Sequence, residues 1–255
     1  VIKGSSELKP FNSGQASVAG LAAALVARAG FKGSADVLNG QWGYIGMVTD
    51  NFDSEKLLKE EKELEIANVY FKPFAACRHT HSAIEAVLQL KRKFQIDPRK
   101  VEKIIVRTYR LAKDGHDHTE IEGVTSAKLS IPFSIALALQ LGKVGINEFK
   151  DEIINNQEIL TLTKKVRVVE DENLNVLVPL KRPSIVEIFT NENNLYTERI
   201  DLAMGEPENP LSKNEFNEKF YSLLEFSGKG EVEIKEISSH IWNIETEFEN
   251  LIKKL

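Results

Sequence analysis

From Ser13 to Ala29 small and apolar residues recur at helical spacing, with Ala16, Gly20 and Ala24 four apart and Ala23 and Ala27 alongside. Ser13 is placed to cap this helix and Gly30 to stop it. Such a small-residue stripe lets a second helix approach closely, which predicts a helix inside a bundle. Phe31 to Asp50 breaks the period with Gly33, Gly40, Gly43 and Gly46. Only short helical pieces fit between those turns, with Trp42, Tyr44, Ile45 and Met47 packed beneath them. Phe52 to Glu63 is charge-rich and reads as a helix with a solvated face.

At Leu64 the pattern changes. Residues 65–71 are rich in Ile, Val, Tyr and Phe and predict a strand closed by Pro73. Ile84, Val87, Leu88 and Leu90 then follow a helical period over about 80–95, ended by Asp97-Pro98. Thr80 or Ser82 can cap that helix, and Ser82-x-x-Glu85 fits a capping box. Val101 to Arg110 alternates as a half-buried strand, and Leu111 to Gly123 is a polar loop. A helix over 131–141 carries Pro132 in its first turn and Gly142 at its end. Phe149 to Thr163 holds one or two short helices. Strands are expected at about 164–170, 184–190 and 195–201, the last two joined by a turn at Asn191 to Asn194. Gly205-Glu206-Pro207-Glu208-Asn209-Pro210 reads as a linker. Beyond it Leu211 to Phe226 is helical with Ser212 as cap, and Glu231 to Leu255 is helical with a break near Ser238-Ser239. The fold class is α+β. Residues 65–203 form an α+β lid domain with a mostly antiparallel sheet, inserted into an all-α helical domain formed by both chain ends, 1–64 and 204–255.

With 42% hydrophobic and 28% charged residues, the chain of 255 residues has the balance of a soluble globular protein. A net charge of −5, with no Lys/Arg stripe, excludes a nucleic-acid surface. No apolar run reaches the length needed to span a membrane. Cys77 stands alone, so no intrachain disulfide can form, and a reducing, cytoplasmic compartment is expected. The first residue is Val1 and no signal-peptide pattern follows, so the chain is expected to begin mid-protein.

Candidate chemistry concentrates in Lys72-Pro73-Phe74-Ala75-Ala76-Cys77-Arg78-His79-Thr80-His81-Ser82, where an extended segment hands over to a helix. His81 falls in the first helical turn, where open N–H groups and the helix dipole carry partial positive charge. A neutral, basic imidazole is favoured there and an anion is welcome beside it. A base next to a carboxylate pocket is what proton abstraction from a small organic acid needs. Arg78 adds a planar fork that meets a carboxylate through two hydrogen bonds. Gly115-His116-Asp117-His118 invites a metal reading, but no second ligand cluster follows. His116 is taken instead as part of a loop that touches substrate, and neither a metal nor an organic cofactor is expected.

Four blocks carry a family resemblance: Leu8-Lys9-Pro10-Phe11-Asn12-Ser13-Gly14-Gln15-Ala16, Lys72 to Glu85, Ser126-Ala127-Lys128-Leu129-Ser130-Ile131-Pro132-Phe133, and Gly205 to Pro210. In this order they resemble the MmgE/PrpD family of lyases and isomerases acting on small polycarboxylates, which includes 2-methylcitrate dehydratase, cis-aconitate decarboxylase and iminodisuccinate epimerase. The resemblance implies that this is the C-terminal portion of such a protein. It also implies a helical domain with a smaller α+β lid, a homodimer, and cofactor-independent proton abstraction α to a carboxylate. Lys9 and His81 match the family's catalytic lysine and histidine. Arg78, His79, Lys128, Phe133 and His116 are taken as substrate contacts. Phe133 stands where several members have a tyrosine, which removes a possible proton donor.

Overall fold

The computed structural model describes residues 11–39, 42–58 and 64–254, and these fall into two compact units, one ending at Asn68 and one beginning at Val69. Among the described residues no helix is long and apolar enough to cross a membrane.

The first unit holds α1 (Phe11–Arg28), α2 (Tyr44–Val48), α3 (Ser54–Leu58) and a 3-10 turn at Glu65–Asn68. Its first helix begins before the expected cap, so Ser13 lies inside the first turn, while Gly30 ends it with a φ of 94°. The predicted bundle packing is not found among the described residues: Leu21 is 64% exposed, and a Cβ at Gly20 would meet nothing within 4 Å. Nor are the aromatics after it tucked under their turns, since Trp42 is 84% exposed. The strand expected at 65–71 does not form either. Its apolar residues find no ladder. Beyond the 3-10 turn the chain runs extended, and the Phe71 N–H donates instead to the carbonyl of Gly205 (2.8 Å).

The second unit is built on four strands, β1 (Val101–Thr108), β2 (Val166–Glu170), β3 (Ser184–Thr190) and β4 (Leu195–Ile200), in the order β2-β1-β3-β4. The sheet is mixed: β1 runs parallel to β2 and antiparallel to β3, and β3 runs antiparallel to β4. A parallel pair requires a long crossover. Here it contains α5 (Arg110–Lys113), α6 (Val124–Leu129), α7 (Ile131–Leu141), α8 (Asp151–Ile154) and α9 (Gln157–Thr163). A further short helix, α10 (Glu172–Asn175), follows β2.

The helix that starts at His81, α4 (His81–Phe94), packs on β3, on β4 and on α7. Its Ala83, Ile84, Ala86, Val87 and Leu90 are all wholly buried. Each large apolar side chain so enclosed contributes about 1.5–3 kcal/mol. The chain enters α7 as the sequence dictates. Ser130 accepts from the Phe133 N–H (3.1 Å), Pro132 sits in the first turn, and Gly142 ends the helix in the left-handed region.

The capping box at Ser82 and Glu85 is not formed, because both side chains serve distant backbone. Ser82 Oγ donates to the Arg182 carbonyl, and Glu85 accepts from the Met204 N–H at 2.6 Å. The expected linker is a packed turn. Gly205 has a φ of 93°, Glu206 bridges to Asn209, and the Glu206 side chain is buried. Beyond it the helix Lys213–Phe226 starts at a complete capping box, with the Glu215 N–H donating to Ser212 Oγ (3.3 Å) and the Ser212 N–H donating to Glu215 (2.9 Å). Two helices complete the unit, Glu231–Trp242 and Ile244–Lys254. They separate at Asn243 and not at Ser238-Ser239, for Ser238 is a buried residue inside the first of them.

Candidate functional site

The chemistry-bearing segment is fixed from both sides. The Cys77 N–H donates to the Lys128 carbonyl (2.8 Å), and residues Arg78–Thr80 then make a 3-10 turn that delivers the chain into the buried helix. Thr80 does not cap that helix, because its hydroxyl donates backward to the Cys77 carbonyl (2.8 Å). The two histidines end in different surroundings. His81 is wholly buried, its Nε2 3.4 Å from the Ala76 carbonyl and its ring edge-on to Phe74 at 5.2 Å. Its Nδ1 has no hydrogen-bond partner among the described residues. Burial, reinforced by the Arg78 charge, pushes its pKa down to about 3.

His79 is half-buried. Its Nδ1 lies 2.5 Å from the hydroxyl of Tyr109, itself a buried residue, and its ring is 5.2 Å from that of His116. Burial, then His116, Arg182, Arg78 and Lys72, pushes the pKa of His79 down to about 4. His116 places Nε2 3.3 Å from Cys77 Sγ. His118 turns elsewhere, with Nε2 3.1 Å from the Ser126 carbonyl, so the two histidines of the Gly115–His118 stretch do not share a partner.

Arg78 is also buried and makes an ion pair with Glu206. Arg182 approaches the same carboxylate at 3.9 Å. Both guanidinium groups lie against the Tyr70 ring, at 5.0 and 5.9 Å from its centroid. Two guanidinium groups meet the Glu206 carboxylate, with the Glu85 carboxylate also acting on Arg78, and Nη1 of Arg78 is buried without a hydrogen-bond partner among the described residues. Burial and the neighbouring Arg182 both lower the Arg78 pKa. Lys72 and Lys219 add positive charge near His81, and burial followed by the Lys72 charge lowers the Lys219 pKa. An isolated buried polar group costs roughly 1–3 kcal/mol, so an unfilled guanidinium nitrogen among cations marks a place for an anion.

Of the residues singled out in the sequence, Arg78, His79 and His116 are brought together, with His81 directly behind. Lys128 contributes its backbone carbonyl to the turn, while its ammonium lies over the Phe149 ring at 5.5 Å and burial lowers its pKa. Phe133 is wholly buried in the core, 6.2 Å from the Phe149 ring, and is not brought to the cluster. Lys9 lies outside the described residues. Tyr70, Tyr109, Arg182 and Glu206 were not singled out. Tyr109 reads as one more position of an alternating strand, and Glu206 sits among prolines where a glutamate is usually solvated. A groove of about 840 Å³ elsewhere in this unit is lined by Phe74 and Lys219, but by neither Arg78 nor any histidine.

Comparison with known proteins gives two findings. The MmgE/PrpD C-terminal domain family matches residues 74–244. Cis-aconitate decarboxylase of Mus musculus is 23% identical over 236 residues, which are 86% of this chain and 46% of that protein. The chain thus spans about half the length of this curated relative.

Proposed function

The chain belongs to the MmgE/PrpD family, and from that premise we propose that it is part of a lyase or isomerase acting on a small di- or tricarboxylate. One observation carries the proposal: a buried guanidinium nitrogen of Arg78, with no hydrogen-bond partner among the described residues, stands with Arg182 and Lys72 beside two imidazoles held neutral. A carboxylate of the substrate fills the place at Arg78, supported by Arg182 and Lys72. An imidazole of the 79–81 turn removes the proton α to a carboxylate, and the surrounding cations hold the charge that develops on the aci-carboxylate. Elimination, decarboxylation or inversion then follows from what leaves and from where a second acid stands.

The resemblance supports His81 and Lys9 as catalytic residues, and His116 and Lys128 are proposed as substrate contacts. Phe133 supplies no proton. The reading invokes no metal and no organic cofactor. The domain boundaries at residues 64 and 203, a homodimer and cytoplasmic residence are carried forward as proposals. The decarboxylase resemblance supports a lyase, and the family as a whole leaves dehydration and epimerisation within the proposal.

The test is isotope exchange by the full-length protein in heavy water, offered a panel of di- and tricarboxylates, with deuterium at the α carbon read by mass spectrometry. Exchange that disappears in the His79→Gln/His81→Gln double variant is the expected result. Binding without exchange would identify a silent carboxylate receptor, and neither binding nor exchange by any panel member would sink the proposal.

A further inference from the structure

We infer that His79, oriented by Tyr109, is the imidazole that exchanges the proton with the substrate, while His81 stands behind it as an enclosed neutral ring. The inference rests on the polycarboxylate reading above and decides which histidine serves it.

A general base must come within hydrogen-bonding distance of the proton it takes. His81 is wholly buried, with Phe74 against its ring and the Ala76 carbonyl beside Nε2. His79 is only half-buried, and while Nδ1 is engaged by Tyr109, Nε2 makes no hydrogen bond among the described residues.

A histidine that acts as a base is held by a partner on its other nitrogen, which selects the tautomer and aims the ring. Tyr109 is that partner for His79, at 2.5 Å, from a side chain fixed in the core at the end of β1. Burial raises the Tyr109 pKa, so the group stays a phenol at neutral pH. With Nδ1–H donating to the phenol oxygen, the lone pair lies on Nε2. That lone pair takes the α proton. The C–H bonding electrons move into the adjacent carboxylate to give the aci-carboxylate, and the ring becomes imidazolium with Nδ1–H still on Tyr109. The same Nε2–H then returns its proton to the carbon or to a departing hydroxyl.

Burial first, then His116, Arg182, Arg78 and Lys72, disfavours a proton on His79. Carboxylates arriving among these cations offset their charge and make the ring more basic when substrate is present. Tyr109 touches His79 and acts through it, so it is a positioning residue.

The experiment uses full-length protein with ring-15N-labelled histidine and citrate as the probe, each signal identified by its loss in the corresponding His→Gln variant. Citrate is expected to shift the His79 ring nitrogens and leave those of His81 in place. His79 is expected in the Nδ1–H tautomer, relaxing to a mixture in Tyr109→Phe. In the exchange assay His79→Gln is expected to lower kcat about 100-fold or more. Tyr109→Phe should lower it about tenfold with KM unchanged. Citrate shifts confined to His81, or normal exchange by His79→Gln, overturn the inference and leave the lyase reading standing. Citrate that moves neither histidine overturns both.

Discussion

Two histidines held neutral in a folded protein make its stability depend on acidity. In an unfolded chain both have pKa values near 6.5, whereas here they lie at about 4 for His79 and about 3 for His81. The unfolded state therefore binds more protons between pH 6.5 and 3, so stability rises with pH across that window. It falls as pH drops through it, and the contribution of the two histidines levels off below about 3. Thermal midpoints measured from pH 3 to pH 7 should show this slope, and His79→Gln should flatten its upper part. A pH-independent midpoint over that range would contradict the burial of both rings.

The Arg78–Glu206 pair sets a second residue-scale expectation. Its two side chains are nearly excluded from solvent. Replacing Glu206 by Gln leaves buried guanidinium charge with its acidic partner gone, and removing one member of such a pair costs about 3–5 kcal/mol. Chemical denaturation should show that loss. The double change Arg78→Met/Glu206→Leu should recover most of it. The arginine was visible in the sequence because it shares a short motif with the histidines. Its glutamate was not, because a partner that arrives from a distant turn leaves no spacing to read.

At the scale of elements, the features legible in the sequence are those settled locally. The helix from Ile131 to Leu141 was readable from Pro132 and Gly142, which act within their own turns. The helix after Ser212 was readable for the same reason. Residues 65–71 misled because β-prone side chains do not make a strand without a neighbour to bond. Ser82 and Glu85 misled because a capping box competes with tertiary acceptors and donors, and here the tertiary partners win. Gly205 shows the converse. It looked like linker glycine, yet its φ of 93° and the Phe71 carbonyl beside it leave no room for a side chain. Gly205→Ala should destabilise by at least about 1–3 kcal/mol, read as a lower urea midpoint. An unchanged midpoint would mean that the turn relaxes freely.

For the whole molecule, the α+β class followed from patterning, since helical and alternating periods are both plain in the chain. Two of the three strand pairings are antiparallel, as expected of a mostly antiparallel sheet, but which pair runs parallel was not legible, because strand direction depends on where connections cross and not on the strands themselves. Charge behaves alike. The net charge of −5 describes the chain as a whole, yet Lys72, Arg78, Arg182 and Lys219 influence a single region around the histidines. Binding of a tricarboxylate there should weaken as salt rises from 0.05 to 0.5 M, by roughly tenfold for a partly exposed site. Titration calorimetry with citrate would measure it, and salt-independent affinity would point to a site other than this one.

The turn at 203–209 reaches back to the histidine region by three separate ties: the Phe71–Gly205 hydrogen bond, the Met204 amide on Glu85, and Glu206 on Arg78. Its consequence concerns truncation. A protein cut after Ala203 would lose more than the helices downstream, because the cut removes the carboxylate paired with Arg78 and unfastens the strip that leads into the 3-10 turn. Such a shortened chain should retain its sheet and lose the fixed placement of Arg78.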